Sequence, residues 1–209
     1  MKLIGMLDSP FVRRTAISLS QLGIEFEHQS LSVFSDYDEF KKINPLVKAP
    51  TLVLANSELL LDSNLILQYA EMLSERSLYA SDLTTIATQQ HILGLSSIAN
   101  EKTVQVIYEH GLRPEEKRHR PWLDRVIEQL THTYQALERT LEQHPHLFDI
   151  NALSHASIAA AVSWFFTQNM QPGLTVEADY PLLKEWSDKC EASEAFREYP
   201  YDFGMSPAP

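Results

Sequence analysis

The chain is poor in cysteine, in basic charge and in long apolar runs, and each shortage excludes a class of protein. Its 209 residues include one cysteine, Cys190, which excludes an intrachain disulfide and a zinc site built from several cysteines. The formal net charge is −11, whereas binders of nucleic acid or of anionic membranes usually carry a basic excess. No apolar run approaches the ~20 residues that span a bilayer, and the N-terminus turns polar too early for a signal peptide. We therefore expect a cytoplasmic protein that binds neither nucleic acid nor membrane.

The first 77 residues alternate between short strand-like and longer helix-like patterns. Apolar or alternating runs predict four strands, at 2–7, 24–31, 51–55 and 58–61. Start signals at Ser9 and Asp62 precede two clear helical patterns, and a weaker polar helix is predicted over 35–44. The order β-α-β-α-β-β-α predicts a small α/β domain in which a parallel β-α-β unit is followed by a hairpin.

From Ser81 onward the strand signals vanish and long helical periodicities replace them. These patterns predict helices over about 82–112 and 121–143, a third capped by Ser154, and a fourth over 181–190. We therefore expect an α/β domain over residues 1–77, followed by an all-helical domain over residues 82–200.

Ser9-Pro10-Phe11 follows the first predicted strand and opens the first helix. The start of a helix carries unpaired N–H groups and a partial positive charge, so it stabilises anions. The Ser9 hydroxyl there can donate to a bound thiolate. A purely structural role, as the N-cap of the helix, fits the same pattern.

Two further motifs precede the third strand and the third helix. If the bond in Lys48-Ala49-Pro50 is cis, the Ala49 backbone can turn outward and pair with a peptide ligand; an ordinary trans proline is the alternative. Asp62-Ser63 offers a carboxylate, a hydroxyl and free N–H groups at one place. Such a place suits a ligand with both an ammonium and a carboxylate, although a simple N-cap again fits the pattern.

In this order and spacing the motifs resemble those of the soluble, Ser-type glutathione transferases, over roughly residues 1–200. Residues 44–52 read Asn-Pro-Leu-Val-Lys-Ala-Pro-Thr-Leu, which is similar to the family's Asn-Pro-x-Gly-Lys-Val-Pro-x-Leu. Residues 62–66 read Asp-Ser-Asn-Leu-Ile, which is similar to its Glu-Ser-x-x-Ile. The resemblance implies a thioredoxin-like N-terminal domain and a helical bundle that follows it. It also implies a homodimer that acts in detoxification.

The resemblance assigns a role to each motif. Ser9 would hydrogen-bond the glutathione sulfur as the catalytic residue, and Ala49, before a cis Pro50, would pair with the cysteinyl backbone. Lys48 would reach the glycyl carboxylate. The residues implied to bind glutathione are Ser9, Phe11, Lys48, Ala49, Pro50, Asp62 and Ser63. Phe11 and the 100–108 stretch would line the second-substrate site.

The implied chemistry is the activation of the glutathione thiol for attack on a small, apolar electrophile. A free thiol has a pKa of ~8.5, and lowering it to 7 requires about 2 kcal/mol. A hydrogen bond to a charged group contributes ~1.5–3 kcal/mol and a helix N-terminus ~0.3–1 kcal/mol. Ser9 at its helix start is therefore sufficient, with glutathione as co-substrate and without a metal or a redox cofactor.

Some features leave alternatives open. Asp62 replaces the usual Glu, Val47 replaces the usual Gly, and Ser157 stands where the family usually has Asp. Because of these departures, an interaction protein with little catalysis remains an alternative, as does a glutathione-dependent reductase or dehalogenase. The absence of a cysteine at position 9 disfavours a mixed-disulfide mechanism. The charged stretch 113–125 is interpreted as a solvated turn, with an anion or partner patch as the alternative.

Overall fold

The computed structural model describes residues 1–202. The strands are β1 (Lys2–Ile4), β2 (Glu27–Gln29), β3 (Thr51–Val53) and β4 (Leu59–Leu61). The helices are α1 (Pro10–Gln21), α2 (Tyr37–Ile43), α3 (Ser63–Leu73), α4 (Leu83–Gly111), α5 (Arg120–Gln143), α6 (His155–Met170), α7 (Pro181–Glu191) and α8 (Glu194–Arg197). One compact unit contains residues 1–78 and the segment that starts at Glu194, and the other contains Tyr79–Ser193.

The sheet confirms the predicted β-α-β-α-β-β-α order. Its strand order is β2-β1-β3-β4, with β1 parallel to β2 and antiparallel to β3, and with β3 antiparallel to β4. Each strand has three residues, fewer than the patterns predicted. β1 ends before Gly5, whose φ is 136°, although the Gly5 N–H still donates to the Gln29 carbonyl at 3.1 Å.

The core of the first unit lies between the sheet and helices α1 and α3. Val12, Ala16 and Leu19 follow each other at helical spacing on α1 and are fully buried. Leu3 and Leu52 bring the sheet into the same cluster, and α3 adds Ile66 and Ala70 to it. The cluster therefore fixes how the starts of α1 and α3 lie relative to the sheet.

The last described segment returns to the first unit. Phe196 is fully buried, and its ring centroid lies 5.5 Å from the Arg13 guanidinium carbon. Arg13 Nε donates to the Tyr199 carbonyl at 2.9 Å. The second domain was predicted to extend to residue 200, whereas these contacts place residues 194–202 with the first unit. A contact between residues so far apart leaves no local pattern in the sequence.

The second unit is helical, as predicted, and α6 is buried along most of its length. Ser154 caps α6: its side chain accepts from the Ser157 N–H at 3.1 Å, and Ser157 Oγ accepts from the Ser154 N–H at 2.9 Å. Ser157 thus completes the capping box, at the position where glutathione transferases usually have Asp. Cys190 is fully buried, and no helix among residues 1–202 is long and apolar enough to cross a membrane.

Candidate functional site

The three motifs meet at one edge of the sheet. Ile4 is in register with Thr51, and Thr51 is in register with Leu61, so these residues form one row across β1, β3 and β4. The Ser9 loop follows β1, residues 48–50 precede β3, and Asp62-Ser63 follows β4. Antiparallel pairing places the end of one strand beside the start of the next. The three motifs therefore lie at the same end of the strands.

Ser9 is the N-cap of α1, but its capping bond is weak. Its Oγ accepts from the Val12 N–H at 3.5 Å, whereas the Asp62, Asp82 and Ser154 caps accept at 2.8, 2.9 and 3.1 Å. The bond uses only a lone pair of the oxygen, so the hydroxyl hydrogen stays available for donation. Ser9 is half-buried, and Pro10 starts the helix at the position where a missing N–H costs nothing.

Gly5 holds the Ser9 loop close to the 48–50 turn. A Cβ atom at Gly5 would lie 2.6 Å from Val12 Cγ2 and 3.0 Å from the Ala49 Cβ, so only glycine fits between them. His28 Nε2 hydrogen-bonds the Gly5 carbonyl at 2.7 Å and fixes the same loop from β2. The end of β1, the start of α1 and Ala49 are therefore packed against one another.

The Ala49–Pro50 peptide bond is cis, which settles the alternative that the sequence left open. The Lys48 carbonyl accepts from Thr51 Oγ1 at 2.6 Å, and Asn44 Nδ2 donates to the same hydroxyl at 2.8 Å. Within residues 1–202, neither the N–H nor the carbonyl of Ala49 takes part in a hydrogen bond. Both groups are therefore available to pair with an extended ligand backbone.

Val47 adopts a left-handed backbone conformation, which favours glycine. Its φ is 45°, and its N–H donates to the Asn44 carbonyl at 2.9 Å. The left-handed region costs a residue other than glycine roughly 1–2 kcal/mol. Buried Asn44 stabilises the turn by accepting the Leu46 N–H at 3.0 Å.

Ser63 is buried at the start of α3 and is bonded to a cation that the sequence motifs did not single out. Its Oγ accepts from Arg14 Nε at 3.2 Å and from Arg14 Nη2 at 2.9 Å. Arg14 is 2% exposed and also donates to the Asn64 side chain. It thus fixes α1 to the start of α3 and supplies positive charge beside Asp62, whose Oδ1 accepts from the Asn64 N–H.

The remaining predicted residues lie on the same loops. Lys48 is exposed and forms no ion pair with any residue in the part of the chain that the structure describes. Its ammonium is therefore available to a ligand carboxylate. Phe11 is half-buried in the first turn of α1, where its carbonyl accepts from Thr15 Oγ1 at 2.7 Å.

Known protein families match both halves of the chain. The sequence profile of the glutathione S-transferase N-terminal domain matches residues 3–77, and that of the C-terminal domain matches residues 120–189. The chain belongs to the glutathione S-transferase family.

Individual relatives match nearly the whole chain. The uncharacterized GST-like protein YibF of Escherichia coli (strain K12) is 27% identical in an alignment 206 residues long, gaps included, which covers 94% of this chain and 96% of the relative. A glutathione S-transferase of Methylobacterium radiotolerans, solved with glutathione sulfonate, has a TM-score of 0.84 and 24% identity, covering 98% of this chain and 97% of its own. A glutathione S-transferase of Methylobacillus flagellatus, solved with glutathione, has a TM-score of 0.84 and 20% identity, covering 95% of this chain and 98% of its own.

Two groups at the site of this glutathione S-transferase family member received no role from the sequence motifs. Arg14 is one, and the available signal was a pair of arginines inside a helix whose neighbouring residues are apolar or small. Asp8 is the other, and it directly precedes Ser9. Burial, followed by repulsion from Asp202, raises the pKa of the Asp8 carboxyl from 3.8 to about 6. At neutral pH the Asp8 carboxyl next to Ser9 is therefore ionised in surroundings that disfavour its charge.

Replacing Asp8 with Asn is expected to stabilise the protein at neutral pH and to have little effect in acid. The folded pKa lies above the unfolded value of 3.8, so the Asp8 contribution is complete below pH 3.8 and is lost as the pH rises through about 6. One pKa unit corresponds to about 1.4 kcal/mol. Because solvent screens this half-buried group, we expect a gain of about 1–2 kcal/mol for Asp8→Asn at pH 7.

Urea denaturation of both proteins at pH 7 and below pH 3.8 measures this gain in the free energy of unfolding. Asp38→Asn is the matched control, because Asp38 is an exposed carboxylate on α2. A stability difference for Asp8→Asn that stays the same at both pH values would contradict the assignment.

Proposed function

We propose that the protein binds reduced glutathione at the sheet edge formed by the Ser9 loop, the 48–50 turn and the start of α3. The observation that carries this proposal is the close packing of Gly5 against Ala49, whose backbone N–H and carbonyl form no hydrogen bond within residues 1–202. Gly5 belongs to the loop that leads to Ser9, whose hydroxyl is only weakly bonded. An extended peptide that pairs with Ala49 would therefore direct its central side chain towards Ser9. A cysteinyl side chain is the one whose chemistry suits that place.

The two ends of glutathione have matching partners. The γ-glutamyl end carries an ammonium and a carboxylate, and the start of α3 offers Asp62 together with the Ser63 N–H and hydroxyl. The buried Arg14 guanidinium adds favourable charge for the carboxylate. At the other end, the exposed ammonium of Lys48 can reach the glycyl carboxylate. The relatives from M. radiotolerans and M. flagellatus, solved with glutathione sulfonate and glutathione, support this choice of ligand.

Ser9 is the residue that we propose to activate the thiol. Its hydroxyl donates to the sulfur, and the partial positive charge at the start of α1 favours the thiolate over the neutral thiol. The thiolate then attacks a small electrophile: the sulfur forms a bond to carbon, and the displaced group leaves with the electron pair. Phe11 would border the space that an apolar electrophile enters. Asp8 opposes the thiolate, so full activation requires the Ser9 hydrogen bond to outweigh that repulsion.

The function is tested by incubating the protein with reduced glutathione and a panel of electrophiles. The panel contains activated aryl halides, alkyl halides, hydroperoxides and small disulfides. We expect thiol consumption with formation of a glutathionyl adduct on a halide substrate. Glutathione disulfide with a peroxide or disulfide indicates the reductase alternative, and release of halide without a stable adduct indicates the dehalogenase alternative. No protein-dependent turnover on the whole panel would leave the interaction-protein alternative.

We also propose that the protein is a homodimer of the cytoplasm. The support is an apolar stripe on α3, formed by Leu65, Met72 and Leu73, which are 60%, 75% and 51% exposed. Side chains seven positions apart lie on one face of a helix, and an isolated chain rarely leaves such a stripe uncovered. The single, buried cysteine suits a reducing compartment.

Met72→Asp is expected to convert the dimer into a monomer, because it places a charge in the centre of the apolar stripe. Met72→Leu, which keeps the stripe apolar, is the matched control and should stay dimeric. Sedimentation velocity of the three proteins at several concentrations measures the change. If the unchanged chain sediments as a monomer, or if Met72→Asp sediments as the dimer does, the proposed interface is wrong.

A further inference from the structure

The segment formed by residues 194–202 is fastened to helix α1 of its own compact unit. Phe196 is fully buried against the Arg13 guanidinium, and Arg13 Nε donates to the Tyr199 carbonyl at 2.9 Å. The Tyr199 ring stacks on Phe26 with a centroid distance of 5.7 Å. These contacts hold the middle of the 194–202 segment in place and direct its last residues towards the N-terminal end of α1.

Two carboxyl groups face each other where the 194–202 segment reaches the loop before Ser9. Asp202 of the segment acts on Asp8 of the loop. Burial, followed by repulsion from Asp202, raises the pKa of the Asp8 carboxyl from 3.8 to about 6. The N–H groups of Ser9 and of Asp8 itself lower this pKa but do not outweigh the other two causes. The docked segment therefore favours a proton on Asp8.

The other ionisable groups of this contact leave the control to Asp8. Burial, followed by the charge of Asp8, raises the pKa of the Tyr201 phenol, so Tyr201 stays neutral in the range where Asp8 titrates. Arg13 acts on Tyr201 and bonds the backbone of the segment. The exposed carboxylate of Glu198 accepts from Ser20 Oγ at 3.0 Å, in the last turn of α1. A proton lost from Asp8 is therefore not compensated by a change of charge at Tyr201.

We propose that Asp8 and Asp202 form a proton-controlled latch that fastens the end of the 194–202 segment to the loop before Ser9. With a proton on Asp8, the two carboxyl groups do not repel each other and residues 201–202 stay docked. When that proton passes to solvent, two negative charges face each other in a partly buried place, and residues 201–202 leave the loop. The contacts of Arg13 keep the rest of the segment on α1. The latch requires no ligand, so it does not depend on the proposed glutathione chemistry.

The sign of the pH dependence follows from the direction of the Asp8 shift. The pKa of Asp8 is about 6 in the docked state, whereas a released carboxyl returns towards 3.8. Docking is therefore strongest below pH 3.8 and weakens as the pH rises through about 6. Because solvent screens this half-buried group, we expect the ratio of docked to released segment to fall about tenfold.

Carboxyl ¹³C NMR of the full chain tests the contact directly. The Asp8 signal is assigned by its loss in Asp8→Asn, and its pKa should be about 6 in the unchanged protein. Asp202→Asn should lower this pKa towards 3.8 without reaching it, because burial remains, and Asp202→Lys should lower it further. Asp38→Asn, at an exposed position on α2, is the matched control and should leave the Asp8 pKa unchanged.

Chymotrypsin cleavage after Tyr201 tests the release of the segment. The measurement is made at about pH 8, where Asp8 is ionised, and mass spectrometry identifies the cut bond. When reclosing is fast, the cleavage rate follows the population of the released form. We expect Asp8→Asn and Asp202→Asn to be cut about tenfold more slowly than the unchanged protein, and Asp38→Asn to be cut at the unchanged rate.

Two results would overturn the latch, provided that circular dichroism melting curves show each variant to be folded. An Asp8 pKa that is the same in Asp202→Asn as in the unchanged protein would mean that the 194–202 segment does not control this carboxyl. Equal rates of cleavage after Tyr201 in Asp8→Asn and in the unchanged protein would mean that the proton does not hold the segment.

Discussion

Ser9→Ala is expected to lower kcat/KM for glutathione conjugation by ten- to a hundredfold at pH 7. The hydroxyl donates to a sulfur that is charged in the reactive form, and such a bond contributes ~1.5–3 kcal/mol. Its loss should raise the pKa of the bound thiol by about 1–2 units. Ultraviolet absorbance of the thiolate in the binary complex measures the pKa, and the pH dependence of kcat/KM measures its consequence.

Loss of the Ser9 cap can also destabilise α1, so two further variants separate capping from catalysis. Glycine at an N-cap costs only a few tenths of a kcal/mol relative to serine, so Ser9→Gly removes the hydroxyl and leaves the helix start intact. Ser9→Thr keeps a hydroxyl. We expect Ser9→Gly to be as impaired as Ser9→Ala, and Ser9→Thr to retain more activity than either. If Ser9→Gly turns over as fast as the unchanged protein, Ser9 is only a cap.

Gly5→Ala is expected to destabilise the fold by about 2–5 kcal/mol. An added Cβ would lie 2.6 Å from Val12 Cγ2 and 3.0 Å from the Ala49 Cβ, and the φ of 136° is one that L side chains rarely adopt. Overpacking costs roughly 1–3 kcal/mol and an unfavourable positive φ about 1–2 kcal/mol. Urea denaturation measures the free energy of unfolding. The added Cβ should also push Ala49, and with it the 48–50 turn, away from the Ser9 loop. Glutathione binding should therefore weaken.

Gly94→Ala is the matched control for Gly5→Ala. Gly94 lies inside α4, and a Cβ there would meet no atom within 4 Å. Alanine in a helix interior is more stable than glycine by about 0.5–1 kcal/mol, so this variant should gain stability. If Gly5→Ala is as stable as the unchanged protein, the close contact of the Ser9 loop with the 48–50 turn is not required for the fold.

The element order could be read from the sequence because local patterns determine it. Alternation and apolar runs marked the four strands, and the start signals at Ser9, Asp62 and Ser154 coincide with the N-caps of α1, α3 and α6. The predicted strands are too long because apolar residues continue beyond the strand ends. Ala55, for example, already lies in the turn that follows β3.

Long-range contacts made the other features unpredictable. The bond between Arg14 and Ser63 joins residues 49 positions apart, and that between Arg13 and Tyr199 joins residues 186 positions apart. Neither pair has a spacing that a helix or strand period would reveal. The cis bond at Ala49–Pro50 also stayed open, because only ~5–6% of such bonds are cis and the local residues do not decide the isomer.

The central claim is that glutathione binds where the three motifs meet, and titration calorimetry with reduced glutathione tests it most directly. We expect one site per chain with a dissociation constant between the micromolar and millimolar range, about −8 to −4 kcal/mol. Ser63→Ala should weaken binding about tenfold, because it removes a hydroxyl beside Arg14 that would face the γ-glutamyl carboxylate. Ser81→Ala, at an exposed position in the second unit, should leave binding unchanged. An unchanged affinity in Ser63→Ala, or no binding heat with the unaltered protein, would contradict the account.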